Sequence, residues 1–404
     1  MWGMLLAACV AWEGVGRTQD DGADVGPGIG EVRGPHTDAG LPVFRDVETR
    51  EDAFLYGDET LDFSLELTDE AIDALATTRF QVDDAPYVPA TFRWGAEAYT
   101  VGVRLKGGMG SFRPFDDKPS FRIDFASAYP VQRFHGSRWL TLNNLVQDDS
   151  MLGEHAAYYV YRARGHAACR HGFARVTING EWFGLYGIVE TLEHDFLVRN
   201  WPGDADGPLL DGGVDFVPGD EEGYVVAQEG DLAALYPAVA AVDEASPEDY
   251  LATLDQWFEA ERLLDLWAIE LASGNPDAYV TRHNNYYLYW SPGDARWTML
   301  PWGTDTAFID HLAIQDGWYE GRLYLKCLDA PACEQALRKR LEEVTTWFET
   351  GQLAAAMEAV GQRTETDCME DPRSDGGAAG CLEGRQLFFG FLEDRSAELR
   401  TLLE

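Results

Sequence analysis

"SGNPDAYVTRHNNYYLYW", Ser273 to Trp290, sets Asp277 ahead of the adjacent amides Asn284 and Asn285, between a helix end and an aromatic strand. Upstream, "SPEDYLATLDQWFEAERLLDLWAIELASGN" reads as one or two helices, with Ser246 as cap, Pro247 at the first position and Gly274 at the close. Asp277 therefore falls in the loop after a helix. Downstream, "NNYYLYW", "SPGDA" and "RWTML" read as strand, turn and strand, and the second strand runs into "PWGTDTAF", which holds Asp305. Carboxylates and amide oxygens are hard donors of the kind that hold Mg2+. Each residue also has an ordinary structural reading. Asn284 and Asn285 can satisfy strand-end backbone, Asp277 can start a turn after Pro276, Asp305 can cap the segment from Thr306, and Trp297 can be core.

Working outward, "RLKGGMGSFRPFDDKPSFRIDF" places a glycine-rich loop with Gly107, Gly108 and Gly110 between two strands. Glycines let backbone N–H groups approach an anion closely. The chain has only four lysines, and two of them, Lys106 and Lys118, bracket this loop. Where arginine is the default cation, a retained lysine fits a compact charge at a phosphate; two solvated loop lysines are the plainer alternative. "DSMLGEHAAYYVYRARG" reads as a helix capped by Ser150 and closed by Gly165, with Glu154 in its first turn. In "ARVTINGEWFGLYGIVE", Asn179-Gly180 predicts a type I′ hairpin whose second strand ends at Glu190. Residues 200 to 230 are rich in Gly and Asp and read as an irregular insertion, while "ETLDFSLEL", "ATFRWG" and "AYTVGVRLKG" supply earlier strands.

The composition sets limits. The 404 residues are 46% hydrophobic and 12% aromatic, enough for a sizeable core, and the net charge of -39 argues against nucleic acid as a partner. A polyphosphate would need a local basic patch or metal ions. No run is apolar enough for a transmembrane helix. "MLLAACVA" resembles a lipoprotein export signal, with Cys9 as the lipid-anchor position, although its start lacks Lys or Arg. Residues 13 to 45 read as a Gly/Asp-rich tether. Cys327 with Cys333, and Cys368 with Cys381, form two close sequence pairs that predict local disulfides and an extracytoplasmic or secreted location, leaving Cys169 over. Free thiols in a reducing compartment are the alternative. From residue 334 the tail reads as two amphipathic helices joined by the Cys368–Cys381 loop.

Protein kinases use the same order of helix, loop Asp, loop Asn, hairpin and Asp. Together with "RLKGGMGSFRPFDDKPSFRIDF", "LNNLVQDDSML", "VTINGEWFGLYGIVE" and "RWTMLPWGTD", the opening stretch resembles the successive motifs of the CotH kinase family, atypical secreted or spore-coat-associated protein kinases, over about residues 100 to 310. The resemblance implies an α+β, atypical kinase-like fold with mixed and antiparallel sheets and a helical C-terminal extension. With the readings above, this divides the chain into an export or lipoprotein signal at 1–12, a linker at 13–45, a CotH-like kinase domain at 46–333 and a helical extension with a disulfide loop at 334–404. Carried over by position, Asp277 is the catalytic acid-base residue and Lys118 contacts phosphate. Lys106 and Gly108 border the nucleotide, Trp297 lies against adenine, and Glu190 falls at the hinge. Asp305, with Asn284 or Asn285, holds Mg2+ or Mn2+. One departure stands out: the family's Pro-Trp-Asp-x-Asp is Pro-Trp-Gly-x-Asp here, with Gly303 in the first acidic position.

The expected function is transfer of the ATP γ-phosphate to Ser or Thr of an extracytoplasmic protein. The alternative, given how scarce ATP is outside the cytoplasm, is a catalytically weak or inactive kinase-like envelope binding module. A third reading, glycoside chemistry on Asp277 and Asp305, ranks below both.

Overall fold

In the computed structural model, residues 51–79, 85–309 and 319–404 are described. The expected signal, Cys9 anchor and tether lie outside them. Strands β1 (Thr60–Glu66), β2 (Val88–Trp94), β3 (Glu97–Lys106), β4 (Ser120–Asp124), β5 (Trp139–Asn143), β6 (His171–Ile178) and β7 (Glu181–Val189) close into a barrel in the order β1-β2-β3-β4-β5-β7-β6. Closure comes from β1 lying parallel to β6, with Leu61 opposite Ala174; the other pairings are antiparallel. The alternation read in "ETLDFSLEL" has this cause. Leu61, Phe63 and Leu65 point into a barrel filled by Phe92, Val103, Phe121 and Ile123. The Asn179-Gly180 turn forms as predicted, both residues taking positive φ, and the Asn179 side chain clasps the backbone of Leu67 from both sides.

A second layer is helical, with a small sheet ordered β11-β10-β8-β9 made of β8 (Leu209–Gly212), β9 (Val225–Gln228), β10 (Tyr286–Ser291) and β11 (Arg296–Pro301). Two of these strands correct the reading of residues 200 to 230 as irregular. β8 and β9 are four residues each, too short to show a period in Gly- and Asp-rich sequence.

Helix α1 (Asp69–Ala76) follows β1, and α2 (Gly153–Ala163) and α3 (His194–Asn200) flank the β6–β7 hairpin. Then come α4 (Leu235–Glu244), α5 (Tyr250–Trp257), α6 (Ala260–Ser273) and the single turn α7 (Tyr279–Arg282). Gly274 ends α6 in the left-handed conformation expected of a helix-closing glycine. The tail contains α8 (Arg322–Leu328), α9 (Pro331–Glu349), α10 (Gln352–Glu370) and α11 (Gly377–Leu403). The segment "EQALRKRLEEVTTWFETGQLAAAMEAV" is thus two helices, broken at Gly351, which takes positive φ. Both predicted disulfides are formed, Cys327–Cys333 and Cys368–Cys381, and Cys169 is buried as a thiol. No described helix is long and apolar enough to cross a membrane.

Candidate active site

Residues 273 to 285 form a braced loop. Asn275 Oδ1 accepts the Asp277 N–H at 3.1 Å and the Thr306 hydroxyl at 2.9 Å, joining the loop after α6 to the loop after β11. Phe308 N–H donates to Ser273 O and Trp302 N–H to Asn285 O, closing the same seam. Beneath it, the buried Glu270 carboxyl accepts the Val280 N–H at 3.0 Å; burial pushes this acid up to about 8. The Asp277 carboxylate accepts the Asn284 amide at 3.1 Å and the Asn285 amide at 2.7 Å. Because Asn285 also donates to Asp277 O at 3.0 Å, its nitrogen faces acceptors on both counts and its amide orientation is set.

The facing wall belongs to the barrel. Asn143, at the end of β5, accepts from the Lys106 ammonium and donates to Glu154 Oε1 at 2.7 Å, linking the end of β3 to the first turn of α2. The approach to that first turn is tied by Asp148, which accepts the N–H groups of Ser150, Leu152 and Gly153; the N-cap position is Leu152, without a side-chain cap, so Ser150 does not cap the helix as expected. A Cβ at Gly153 would sit 2.6 Å from Ala307 O, so glycine lets α2 dock on the segment that carries Asp305. Burial foremost, then their mutual repulsion at Asp305, pushes the Glu154 and Asp305 carboxyls well above the usual range, while Lys106 opposes the rise. Burial pulls the Lys106 ammonium down, against Glu154 and Asp305. Asp277 adds a further repulsion at Asp305. Lys106 and Asp305 are both half-buried.

Register extends the barrel wall. Arg104 lies opposite Arg122 and Lys106 opposite Ser120, so Arg104, Lys106 and Arg122 share one face of the sheet. Arg122 pairs with Glu193 at 2.5 Å and lies over the Trp139 ring. Across from it lies Tyr287 of the small sheet, its hydroxyl on Asp211 at 2.8 Å. A chain of net charge -39 thus gathers three cations on one wall.

Three expected residues lie elsewhere. Lys118 is not at the cleft; its ammonium is fully buried on Asp371 at 2.7 Å, beside the Tyr186 ring. Trp297 pairs with Trp290 on the helix-facing side of the hairpin and bridges to Phe258, 1% exposed. Period 2 explains it, because Tyr287 and its partner Leu300 occupy the opposite, cleft-facing side. The Glu190 carboxylate is enclosed by Arg199 and Arg170; burial works against its charge, but the two guanidinium groups hold it at about 2. Gly108 lies in the loop as expected, yet its N–H donates to Ser111 Oγ at 3.1 Å. Sequence reasoning missed Asn143, Arg104, Arg122 and Tyr287 and gave Glu154 no role. Only the Arg104–Lys106 spacing on one strand could have signalled any of these.

No group of three or more His, Cys, Asp or Glu side chains among the described residues converges on a metal position. The carboxylate of Asp305 and the amide oxygens of Asn284 and Asn285 are nonetheless of the hard-donor type that suits such a cation.

The family model for the CotH kinase protein matches residues 103–396. The chain belongs to the CotH kinase family. It is 26% identical over 194 residues to the invasin CotH2 of Rhizopus delemar, covering 43% of this chain and 33% of that one. It is 21% identical over 246 residues to the inner spore coat protein H of Bacillus subtilis, covering 56% of this chain and 63% of that one. The chain thus spans less than two thirds of either relative's length. Within the CotH pattern, Gly303 has a steric reason here: φ is +53°, and a Cβ would lie 2.5 Å from Asn285 Oδ1. Asn285 fills the space that an aspartate side chain would enter.

Proposed function

We propose that the chain is a kinase that transfers the ATP γ-phosphate to Ser or Thr hydroxyls of an extracytoplasmic protein, in a kinase-like cleft between barrel and helical layer. The observation that carries this reading is the meeting of Lys106, Glu154, Asp305 and the Asp277–Asn284–Asn285 group, from four separate segments, at one place between barrel and helical layer. Phosphoryl transfer asks little covalent chemistry of a protein and much positioning and charge. Arg104, Lys106 and Arg122 provide the local basic wall that a polyphosphate needs against the overall charge. Asn143 and Glu154 hold Lys106 in place. Asp277, oriented by two amides and retaining unused lone pairs, takes the proton of the acceptor hydroxyl. Asp305 and the oxygens of Asn284 or Asn285 would hold Mg2+ or Mn2+, which neutralises phosphate charge. Two disulfides support an extracytoplasmic setting, as do relatives named for a spore coat and for invasion; a lipid anchor at Cys9 rests on sequence alone.

Gly303 favours a second reading, a kinase-like binding module with weak turnover, because one carboxylate of the family pattern is replaced by space that Asn285 occupies. Calorimetric titration of the full chain with MgATP and MnATP, beside Asp305→Ala, followed by labelled γ-phosphate transfer, separates the two. Metal-dependent binding lost in the variant, with phosphate appearing on protein, supports the kinase. Binding without transfer supports the module, and absence of binding at millimolar nucleotide sinks both nucleotide readings.

A further inference from the structure

The glycine-rich loop leaves the cleft at Lys106 and returns at its strand partner Ser120. Its inner shoulder is held from the site itself. Asn144, next to Asn143, donates through its amide to Ser111 O at 2.8 Å and Lys118 O at 2.7 Å. Its tip is tied within the loop, by Gly108 N–H on Ser111 Oγ at 3.1 Å and Phe112 N–H on Gly108 O at 2.9 Å, while Met109 is 81% exposed. Its outer shoulder is held by the far end of the chain. Asp371, just after α10, accepts from Lys118 Nζ at 2.7 Å, Leu185 N at 2.8 Å and Arg373 N at 2.9 Å. Gly184 makes room for it, since a Cβ there would lie 2.5 Å from Asp371 Oδ1. Arg373 donates to Asp116 O at 2.9 Å and Asp117 O at 2.6 Å and lies 3.7 Å over the Phe183 ring. Arg113 of the loop pairs with Asp375 at 3.3 Å. The turn bearing Asp371, Arg373 and Asp375 is itself closed by Cys368–Cys381.

We propose that this disulfide-closed turn is a clamp that positions the glycine-rich loop over the cleft, with Asp371 and Arg373 as positioning residues for nucleotide binding. The proposal rests on the nucleotide reading of the cleft. A loop tethered only at its inner shoulder samples more conformations, and nucleotide binding must then supply the lost order. Nothing in the clamp touches the proposed reacting groups, so it acts on affinity and leaves the Asp277 chemistry alone.

The test uses the full chain as Asp371→Asn and Arg373→Ala, with Arg400→Ala on the remote face of α11 as control. Arg373→Ala keeps the buried Lys118–Asp371 pair, so it reports on the clamp even where Asp371→Asn fails to fold. Hydrogen exchange without nucleotide should speed up in peptides covering residues 107–118 and stay unchanged in β5. The MgATP Kd should rise about tenfold, with kcat within about twofold of the unaltered chain. Unchanged loop exchange, or a loosened loop with unchanged Kd, overturns the clamp. Failure of the unaltered chain to bind MgATP would sink the nucleotide reading instead, and the exchange measurement tells the two failures apart because it needs no ligand.

Discussion

Lys106 and Lys118 bracket one loop and meet opposite fates. Lys118 and Asp371 are both sealed from solvent, and Asp371 has two backbone N–H partners as well. Lys106 faces two carboxyls, Glu154 and Asp305, that repel each other across a cleft still partly open. The first arrangement is balanced and closed, so it holds the fold. The second sets one ammonium against two carboxyls and is not balanced within itself. Lysine alone does not distinguish them; the completeness of its partners does.

Four experiments break or sharpen this contrast. The largest effect should come from Asp277→Asn, with a fall in kcat of about a thousandfold and MgATP affinity preserved, read by single-turnover transfer beside calorimetry. Loss of binding instead would move Asp277 from the chemistry to the architecture. Next, Lys118→Met should cost about 3–5 kcal/mol in chemical denaturation, because Asp371 stays buried without its cation. Lys106→Met should cost far less stability yet lose at least about a hundredfold in nucleotide affinity, about 2.7 kcal/mol. Equal stability losses in the two would erase the distinction.

Third, Glu270 sits under the Asp277 loop with its folded value near 8, above its ordinary 4.5. Its sign is the reverse of a salt-bridged acid. The folded state keeps a proton that the unfolded chain releases, so stability falls as pH rises from about 4.5 toward 8. Glu270→Gln, still able to accept the Val280 N–H, should flatten that slope and gain about 3 kcal/mol at pH 7, measured by denaturation across pH. An unchanged slope would show that Glu270 is already charged. Smallest, Gly303→Ala should cost about 1–2 kcal/mol from its positive φ and the crowding of Asn285. Gly303→Asp should not tighten Mn2+ binding unless Asn285→Gly is added; tighter binding in the single variant would show that Asn285 yields easily.

Much of the scaffold was legible because its signals are local. Asn179-Gly180 needs only its own dihedrals, Gly274 only the end of one helix, and each disulfide only a short loop. The strand alternation of β1 was legible because one face is buried along its whole length. Barrel closure was not, since it depends on a parallel partner far along the chain. The site divides in the same way. Asp277, Asn284 and Asn285 sit within one short stretch and do come together, with Asp305 close enough to interact. Glu154 and Asn143 come from other elements, and nothing near them in sequence says that they meet Lys106. Trp297 misled because an aromatic on a hairpin strand has even odds for either face, and register alone decides. Lys118 misled because the carboxylate that claims it lies 253 residues away.

That last separation bears on when the protein becomes competent. Synthesis delivers β1 well before the β6 it must lie beside, and contacts so distant in sequence form slowly. The outer anchor of the glycine-rich loop comes later still, with residues 371–375. A chain interrupted before that point has the barrel residues, the acids and the amides, but its loop lacks the outer hold. The loop beside the candidate site is thus the last part of it to be secured, because its outer anchor is made only once residues 371–375 are in place.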